Sequence, residues 1–363
     1  MHIDPPIHRP FQAYQDFVLA CKLQWTRNLY PEVTARYRAA AAAAPVPPKS
    51  AADVEALVGH DTTMRFFGWF ERHLQRMKYS GRHGLARHYA AQRNMLAPAL
   101  EADSAILALD PGMALPDYYT AVDIHQHPGG VYGDDVAGMV YERGARTTTP
   151  LLDKHGDLHY RFTTAALAKT GGEVRRIIDL GCGFGKSTKP FYAQHHDVQV
   201  VGVDLAAPCL KLAAHTAGEG EAHNVRFKQA DAADTKLPAA SADMVTSTML
   251  LHEMPPSHIE KMLHEVHRLL APGGWSIHLD FRATDDPWAK YIHYGHSKRN
   301  NEPFMPPLDR MNLEAAHRRA GFDKVEILPF EEMGGALAPD NKTWRFPWVV
   351  IAARKAPAEE KKA

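Results

Sequence analysis

Apolar side chains recur at helical spacing through the first 110 residues of the chain. Three segments carry the pattern, at residues 11–44, 63–79 and 83–100, and proline or serine–glycine sequences separate them. Ser50 is placed to cap a further short helix that ends near Val58. No strand pattern of comparable strength occurs in this region, so we expect it to be mostly helical.

The segment at residues 63–79 has a pronounced aromatic stripe. Its members fall on one side of the predicted helix: Phe66, Trp69, Phe70, Leu74 and Met77. A helix face of this composition is typical of a buried packing surface. We therefore predict that the stripe belongs to the helical core rather than to a ligand site.

From residue 175 onward, short apolar strands alternate with helices. The first two strands cover residues 177–180 and 198–203. Later strands are expected at residues 324–330 and 344–353. This alternation predicts an α/β fold with a doubly wound, mainly parallel sheet.

A glycine-rich turn joins the first of these strands to a helix. Gly181, Gly183 and Gly185 allow a tight turn and leave backbone N–H groups open to a ligand. Asp204 ends the second strand, where a carboxylate typically accepts hydrogen bonds from ribose hydroxyls. The sequence therefore predicts a cofactor that contains a nucleoside.

The glycine spacing argues against a dinucleotide. The dinucleotide motif G-x-G-x-x-G places its third glycine where this chain has Lys186. Asp179, two residues before the first glycine, adds negative charge close to where a pyrophosphate would lie. A cationic cofactor suits this loop better than one with two phosphates.

The loop and the segments after it resemble the class I S-adenosylmethionine-dependent methyltransferases. Residues 179–185 match the D-x-G-x-G-x-G pattern of motif I, and residues 229–237 are similar to the family's adenine-contact segment. Residues 243–250 resemble its fourth strand, and residues 264–280 resemble the helix, the turn and the fifth strand, which starts at residue 275. The bacterial small-molecule methyltransferases of the quinone-biosynthesis type are the most similar group. The resemblance implies a seven-stranded Rossmann-like sheet whose last strand is antiparallel and lies between the fifth and sixth strands.

The resemblance also implies the cofactor, S-adenosyl-L-methionine, and the residues that hold it. Asp179 and the glycines would hold its amino-acid end, Asp204 its ribose, and Asp231 with Ala232 its adenine. The full set carried over from the family comprises Asp179, Gly181, Cys182, Gly183, Gly185, Asp204, Leu205, Asp231, Ala232 and Thr248. Of these, we interpret Cys182 as a small residue in a tight turn rather than a reactive thiol.

Polar side chains follow the fourth and fifth strands of the predicted sheet, where open α/β sheets form their ligand crevice. His252 and Glu253 come after strand four, and Asp280 ends strand five. An imidazole titrates near neutral pH and is suited to move a proton from a methyl acceptor. We predict these three residues as catalytic; the alternative is that the first two cap the next helix or brace the loop.

The segment at residues 123–130 combines two histidines with an aspartate and two glycines. His125 and His127 with Asp123 would suit a divalent transition metal, although chance pairs are expected among 22 histidines. An ordinary structural loop is the second interpretation, and substrate contact without metal is the third, which we favour. The predicted substrate residues are His125, His127, Tyr132, Tyr291 and Tyr294, and no metal site is assigned.

The chain divides into three predicted parts. Residues 1–145 form a mostly helical domain that caps the substrate site or mediates oligomerisation. Residues 146–356 form the cofactor-binding domain, with an insertion at residues 281–310, and residues 357–363 form a flexible tail. Aromatic residues of the insertion, such as Trp288, favour an apolar or aromatic acceptor.

Composition and charge narrow the function further. The 363 residues contain 42 Lys and Arg and 42 Asp and Glu, so no basic excess indicates nucleic-acid binding. Three cysteines without metal-type spacing are typical of a reducing compartment, and no signal peptide or membrane-length apolar run occurs. We expect a cytoplasmic enzyme without nucleic-acid or membrane partners, and a homodimer stays open.

Methyl transfer to a small molecule by in-line displacement is the predicted function. Two alternatives stay open: an enzyme of the same fold that uses the bound sulfonium for cyclisation or decarboxylation, and a non-catalytic scaffold. The Asn/Asp-Pro-Pro-Tyr motif of amide and base methylation is absent after strand four. Nucleic-acid amino groups and glutamine amides are therefore poor candidates for the acceptor.

Overall fold

The computed structural model describes residues 5–101, 105–146, 157–282, 285–331 and 346–358. An eight-stranded sheet lies at its centre. The strands are β1 (Leu107–Ala108), β2 (Arg176–Leu180), β3 (Gln199–Asp204), β4 (Val225–Gln229), β5 (Ala242–Thr248), β6 (Leu270–Phe281), β7 (Val325–Pro329) and β8 (Trp348–Arg354).

The spatial order of the sheet is β1-β4-β3-β2-β5-β6-β8-β7. β8 runs antiparallel to both β6 and β7, whereas the other neighbouring strands pair in parallel. The prediction of a doubly wound, Rossmann-like α/β sheet is confirmed, including the antiparallel last strand. The strand order reverses between β2 and β5, so a ligand crevice is expected at the carboxyl ends of these two strands.

The predicted strand number of seven was wrong by one. β1 adds two residues to the edge of the sheet, where the Phe227 N–H donates to the Ile106 carbonyl at 2.7 Å. A strand of two residues is too short to show a periodic pattern in the sequence.

Helices and turns form most of the described chain before residue 146. The helices are α1 (Arg9–Gln24), α2 (Tyr30–Ala43), α3 (Ala51–Val58), α4 (Thr62–Tyr79), α5 (Leu85–Ala90), α6 (Arg93–Ala99), α7 (Asp117–Thr120) and α8 (Ala137–Ala145). The Ser50 side chain accepts a hydrogen bond from the Asp53 N–H and caps α3, as predicted. Residues 83–100, which the pattern predicts as one helix, contain both α5 and α6, because the chain turns at residues 91–92.

Seven further helices accompany the strands in the described part of the chain. They are α9 (Asp157–Lys169), α10 (Lys189–Gln194), α11 (Ala207–Glu219), α12 (Pro256–Leu269), α13 (Pro287–Asn300), α14 (Met305–Arg310) and α15 (Leu313–Arg319). α13 packs against α3 and α4, which ties the segment after β6 to the N-terminal helices. α8 approaches α11 so closely that a Cβ at Gly138 would lie 2.4 Å from the Pro208 carbonyl oxygen.

The aromatic stripe on α4 is only partly buried: Leu74 belongs to the helical core and Phe70 packs against it. Phe66 and Trp69 are 46% and 54% exposed, whereas Phe67 is buried and its ring stacks on Trp25 at 4.8 Å. The buried face also carries Glu71 and Lys78. The prediction was therefore right for Leu74 and Phe70 and wrong for Phe66 and Trp69, because two charged residues occupy positions on the buried face where the apolar pattern requires hydrophobic ones.

No helix in the described ranges is both long enough and apolar enough to cross a bilayer. The tail predicted at residues 357–363 lies outside the described residues, apart from positions 357 and 358.

Candidate active site

The turn after β2 has a conformation that only glycine adopts without strain. Gly181 has a φ of +65°, and a Cβ at this position would lie 2.6 Å from Leu250 Cδ1. The Gly183 N–H donates to Asp204 Oδ2 at 2.8 Å, and the Ala206 N–H donates to Asp204 Oδ1 at 2.8 Å. Asp204 thus joins the turns after β2 and β3 and fixes the bottom of the crevice.

Asp179 supports the same turn from inside the protein. Its Oδ2 accepts hydrogen bonds from the Ser187 and Thr188 hydroxyls at 2.8 and 2.7 Å. Its Oδ1 is buried and has no partner among the described residues. Burial, opposed by the two hydroxyls, raises the pKa of this carboxyl to about 6.

Two cavities meet over the glycine turn. The first, the larger cavity, encloses about 1250 Å³, part of it open to solvent, and the second, the adenosine-sized cavity, encloses about 750 Å³. The second cavity is lined by Asp204, Leu205, Asp231 and Ala232, and the first by Cys182, Lys186, Ser187 and Thr248. Six residues line both cavities: His125, Tyr141, Gly181, Gly183, Met249 and Glu253.

Asp231 is held in place at the wall of the second cavity. His258 Nε2 lies 2.8 Å from Asp231 Oδ1, which also accepts from the Ala233 N–H at 2.8 Å. Burial opposes ionisation, but these hydrogen bonds outweigh it and hold the pKa of Asp231 below its ordinary value. The ring of Tyr118 packs on His258 with the centroids 4.7 Å apart. The carboxylate therefore stays charged and fixed beside the cavity.

Carboxylates and imidazoles alternate in a row that lies at the end of β5 and along one wall of the larger cavity. His252 Nδ1 lies 2.7 Å from Asp280 Oδ1, and His252 Nε2 lies 3.3 Å from Glu253 Oε1. The same Glu253 oxygen lies 3.3 Å from His125 Nε2, and His125 Nδ1 lies 2.9 Å from Glu302 Oε1. We call these five residues the acid–imidazole row. It joins residues of the sheet to the segment around residue 125 and to the end of α13.

Asp280 fixes the orientation of His252. Its Oδ2 accepts from the Leu251 N–H at 2.8 Å, and its Oδ1 also accepts from the Phe281 N–H at 2.8 Å. The imidazole packs on the Phe281 ring with the centroids 4.1 Å apart. Asp280 and His252 are both buried, so neither group has freedom to rotate away.

The charges of the row are set by its own members. Burial lowers the pKa of both imidazoles, but the neighbouring carboxylates outweigh it: the pKa of His252 rises well above its ordinary value and that of His125 rises to about 9. The pKa of Glu253 falls to about 2 because His125 and His252 outweigh the effect of burial. At neutral pH the row therefore contains two imidazolium ions that flank an ionised Glu253, whose Oε2 has no hydrogen-bond partner among the described residues.

Comparison with known proteins assigns the family. A family model described as a methyltransferase domain matches residues 177–274. Demethylmenaquinone methyltransferase of Thermus thermophilus is 34% identical over 131 residues, which are 36% of this chain and 58% of the relative. The uncharacterized methyltransferase YcgJ of Bacillus subtilis is 32% identical over 114 residues, 31% of this chain and 43% of the relative. The chain therefore contains a class I S-adenosylmethionine-dependent methyltransferase domain.

The methyltransferase match is confined to part of each protein. The chain spans about half the length of the curated relatives it matches. Among solved structures, phosphoethanolamine N-methyltransferase 2 of Haemonchus contortus with S-adenosyl-L-methionine is 16% identical at a TM-score of 0.43, over 58% of this chain and 60% of that one. The crystal structure of YcgJ is 21% identical at a TM-score of 0.41, over 56% of this chain and all of that one.

The residues present in the methyltransferase domain fit the cofactor of that domain family, S-adenosyl-L-methionine. The turn leaves open space at Gly183, where a Cβ would lie no closer than 3.8 Å to another side chain, and two carboxylates, Asp204 and Asp231, line the second cavity. Asp179 Oδ1 and Thr248 Oγ1 are buried polar atoms without a described partner near the same turn. Gly185 differs from the other glycines, because a Cβ there would lie 3.0 Å from Ala213 Cβ, so this glycine serves packing against α11 rather than the cofactor.

Four of the five predicted substrate residues do not line either cavity. His127 is buried and stacks on Tyr79 with the rings 5.1 Å apart, and Tyr132 packs on Tyr119. Tyr291 stacks on Trp288 inside the N-terminal helical core, and the Tyr294 hydroxyl donates to Asp309 at 2.5 Å. Of the five, His125 is the residue that lines both cavities, and the substrate proposal below is argued from it rather than from the other four.

Asp123 and the two histidines do not converge on one point. His125 contacts Glu253 and Glu302, whereas the buried His127, whose pKa burial lowers to about 4, packs on an aromatic ring. In the described part of the chain, no group of three or more His, Cys, Asp or Glu side chains could hold a metal ion.

Several cavity residues were not predicted from the sequence. The wall of the larger cavity includes Lys22, Gln75, Tyr79, Asn300 and Glu302. The first three come from α1 and α4, which are distant in sequence from the glycine turn. The sequence did contain one signal for these residues: Lys22, Glu71 and Lys78 are charged residues within otherwise apolar helical patterns. Charged side chains are rarely buried unless they are paired or functional.

Proposed function

We propose that this chain transfers the methyl group of S-adenosylmethionine to a small-molecule acceptor. The observation that carries the proposal is the junction between the two cavities, where Glu253, His125 and the glycine turn line both spaces. A cofactor in the adenosine-sized cavity and an acceptor in the larger cavity would meet at this junction. Such contact supports in-line displacement, which depends mainly on positioning.

The cofactor is held, in this proposal, by the residues that the family resemblance implies. Asp204 would accept from the ribose hydroxyls and Asp231 from the adenine amine, with Leu205 and Ala232 against the base. Gly181 and Gly183 would face the methionine part. Lys186 is not among the residues that the resemblance implies; it lines the larger cavity beside the turn and would pair with the methionine carboxylate.

Glu253 is the proposed proton acceptor. The methyl carbon leaves the sulfur, the sulfur keeps the electron pair, and the new bond forms to a hydroxyl or amino group of the acceptor. A hydroxyl oxygen that gains a methyl group becomes strongly acidic, so even a carboxylate of low pKa can take its proton. The unpaired Oε2 of Glu253 at the junction supports this role.

His252 and Asp280 are proposed to act through Glu253. His252 is charged at neutral pH and is therefore a poor base there, but it lies 3.3 Å from Glu253 Oε1. Asp280 orients His252 through the 2.7 Å contact to Nδ1. We therefore assign Asp280 and His252 as positioning residues, and His125 as the second group that holds Glu253.

The N-terminal helical region is proposed to cover the acceptor site. Lys22, Gln75 and Tyr79 contribute to the wall of the larger cavity, which supports a capping role for residues 1–145. The walls also include Phe281, Phe346 and Trp348, and these rings support an acceptor with an apolar or aromatic body.

Calorimetric titration of the full chain with S-adenosylmethionine, S-adenosylhomocysteine and NAD tests the cofactor assignment. We expect the first two ligands to bind and NAD not to bind. Asp204→Asn should weaken binding of S-adenosylhomocysteine at least about tenfold, because it removes a charge-assisted acceptor. Asp197→Asn, an exposed aspartate before the same strand, is the matched control and should leave binding unchanged.

Incubation with a labelled-methyl cofactor and pooled small-molecule extract then tests the reaction. We expect label in a small-molecule product together with stoichiometric S-adenosylhomocysteine. Conversion of a substrate without formation of S-adenosylhomocysteine would identify a cyclase or decarboxylase instead. Failure of both cofactor forms to bind would contradict the proposed function altogether.

A further inference from the structure

The end of the larger cavity that faces the N-terminal helices has an unmatched positive charge. Lys22 of α1 lines this end together with Gln75 of α4 and Asn300 of α13. The same three residues also line a smaller cavity of about 440 Å³ behind it, where Lys78 joins them. Lys22 thus stands where the two spaces meet, and its ammonium group is within reach of a molecule in either.

The acidic groups near Lys22 already have other partners. Glu71 lies within ion-pair distance of His296 and Arg299, and it accepts a hydrogen bond from Asn300 at 3.2 Å. Glu302 lies 2.9 Å from His125 Nδ1. Both carboxylates attract Lys22 only through longer-range electrostatics.

Lys22 itself has no direct partner in the described ranges of the chain. Neither a hydrogen bond nor an ion pair of its Nζ is present there, whereas Lys78 donates to the Gly144 carbonyl at 3.3 Å and lies 4.6 Å from the Tyr79 ring centroid. Burial holds the pKa of Lys22 below its ordinary value. An anionic group beside Lys22 would compensate the loss of hydration of this ammonium ion.

The remainder of the larger cavity is chemically different from this end. Aromatic rings of Tyr79, Tyr141, Phe281 and Trp348 contribute to its wall, and Glu253 lies at the junction with the cofactor cavity. A molecule that fills the space therefore meets a cation at one position, aromatic surfaces along its body and a carboxylate where the methyl group would be transferred.

We infer that the methyl acceptor is a hydroxyaryl carboxylate, with its carboxylate on Lys22 and its phenolic hydroxyl at Glu253. This inference rests on the proposed function and specifies the substrate class of that site. The transfer step is the one given above: the phenolic oxygen bonds to the methyl carbon, the carbon–sulfur bond breaks with its electron pair on sulfur, and the phenolic proton passes to Glu253.

Calorimetry on the full chain saturated with S-adenosylhomocysteine provides the test. The probes are 4-hydroxybenzoate, 4-hydroxyphenylacetate and 3-(4-hydroxyphenyl)propanoate, each paired with its primary amide, which keeps the shape and removes the charge. We expect at least one acid to bind at least about tenfold more tightly than its amide, as a charge-assisted hydrogen bond implies. Lys22→Met should abolish that preference, and Lys22→Arg should retain most of it.

The controls separate this inference from the proposed function. Lys298→Met changes an exposed lysine of α13 and should leave the preference intact. S-adenosylhomocysteine affinity, measured first, should be unchanged in every variant and also reports that each variant is folded. If the cofactor product binds but acids and amides bind equally, or not at all, or if Lys22→Met keeps the preference, the substrate class is wrong while the methyltransferase proposal stands. If the cofactor product does not bind, the proposed function fails first.

Discussion

Glu253 is the residue on which the proposed chemistry depends. Replacing it by glutamine keeps the shape but removes the proton acceptor, so we expect turnover to fall by on the order of 10²-fold or more. Affinity for S-adenosylhomocysteine should change less than threefold, because Glu253 contacts the reacting end of the cavity rather than the adenosine. The measurement is single-turnover transfer of labelled methyl to the acceptor found in the extract assay.

Glu314→Gln is the control for this substitution, since Glu314 is an exposed residue of α15 that pairs with Arg318 at 3.7 Å. Turnover of the control should equal that of the unmodified protein. Full turnover in Glu253→Gln would remove this residue from the mechanism and would leave deprotonation of the acceptor to solvent.

Protonation of His125, in the acid–imidazole row, contributes to the stability of the folded protein. Its pKa in the folded chain is about 9, above the ordinary value of 6.5. A raised pKa means that the stabilising contribution is fully present below pH 6.5 and is lost as the pH rises through 9. We expect unmodified protein to exceed His125→Asn in melting temperature below pH 6.5, and we expect this difference to shrink steadily towards pH 9.

Asparagine is the suitable replacement because residue 125 has a φ of +55°, a region that asparagine tolerates. Titrating groups that do not interact with His125 are common to both proteins, so their contributions cancel in the difference between the two melting temperatures. A difference that does not vary with pH would mean that His125 is neutral in the folded protein.

Individual residues were predictable where the family motif and the strand ends fixed their position. His252, Glu253 and Asp280 follow adjacent strands, and the structure brings them within hydrogen-bond distance of one another. The roles of Lys22 and Glu302 in the site could not be predicted, because no local sequence pattern indicates that the ends of α1 and α13 lie over the glycine turn. Tertiary packing alone decides that proximity.

Among the helices, Glu71 joins α4 to α13. It lies within ion-pair distance of His296 and Arg299 and is buried. Glu71→Gln leaves Arg299 and His296 without the carboxylate that they share, so we expect a loss on the order of 3 kcal/mol in the free energy of unfolding. Urea titration at neutral pH measures this change.

The contribution of Glu71 to stability depends on pH with the opposite sign to the contribution of His125. Burial opposes ionisation of Glu71, but Arg299 and His296 lower its pKa from 4.5 to about 2. Its contribution is therefore present above pH 4.5 and is lost as the pH falls towards 2. The control, Glu260→Gln, removes an exposed pair with Arg319 and should cost less than about 1 kcal/mol; an equal loss in both variants would contradict a special role for Glu71.

Helices and strands were predicted better than the faces by which they pack. The apolar periods located α4 and the strands β2, β3, β7 and β8, because periodic segments carry a strong signal, whereas β1 and β4 were not predicted. The prediction of the buried face of α4 was partly wrong, because Glu71 and Lys78 are buried through ion pairing and hydrogen bonding rather than through hydrophobicity. Tyr291 was misplaced for a related reason: it packs with Trp288 on the N-terminal helices, although the insertion that carries it follows β6.

At the scale of the whole molecule, the two cavities draw on different parts of the chain. The adenosine-sized cavity is lined by sheet loops and by the segment around residues 118–141, whereas Lys22, Gln75 and Tyr79 of α1 and α4 line only the larger cavity. Cofactor and acceptor should therefore protect different helices from exchange with solvent. The pattern of protection therefore distinguishes between N-terminal helices that close over the cofactor and N-terminal helices that close over the acceptor.

Hydrogen exchange measured by mass spectrometry can follow the two ligands in turn. S-adenosylhomocysteine alone should slow amide exchange in the turns after β2, β3 and β4 and leave the end of α1 and the end of α4 unchanged, because those helices do not line its cavity. Adding 3-(4-hydroxyphenyl)propanoate should then slow exchange at residues 18–24 and 71–79. Protection of α1 and α4 by the cofactor product alone would show instead that the helical region closes on the cofactor, and its role in selecting the acceptor would have to be abandoned.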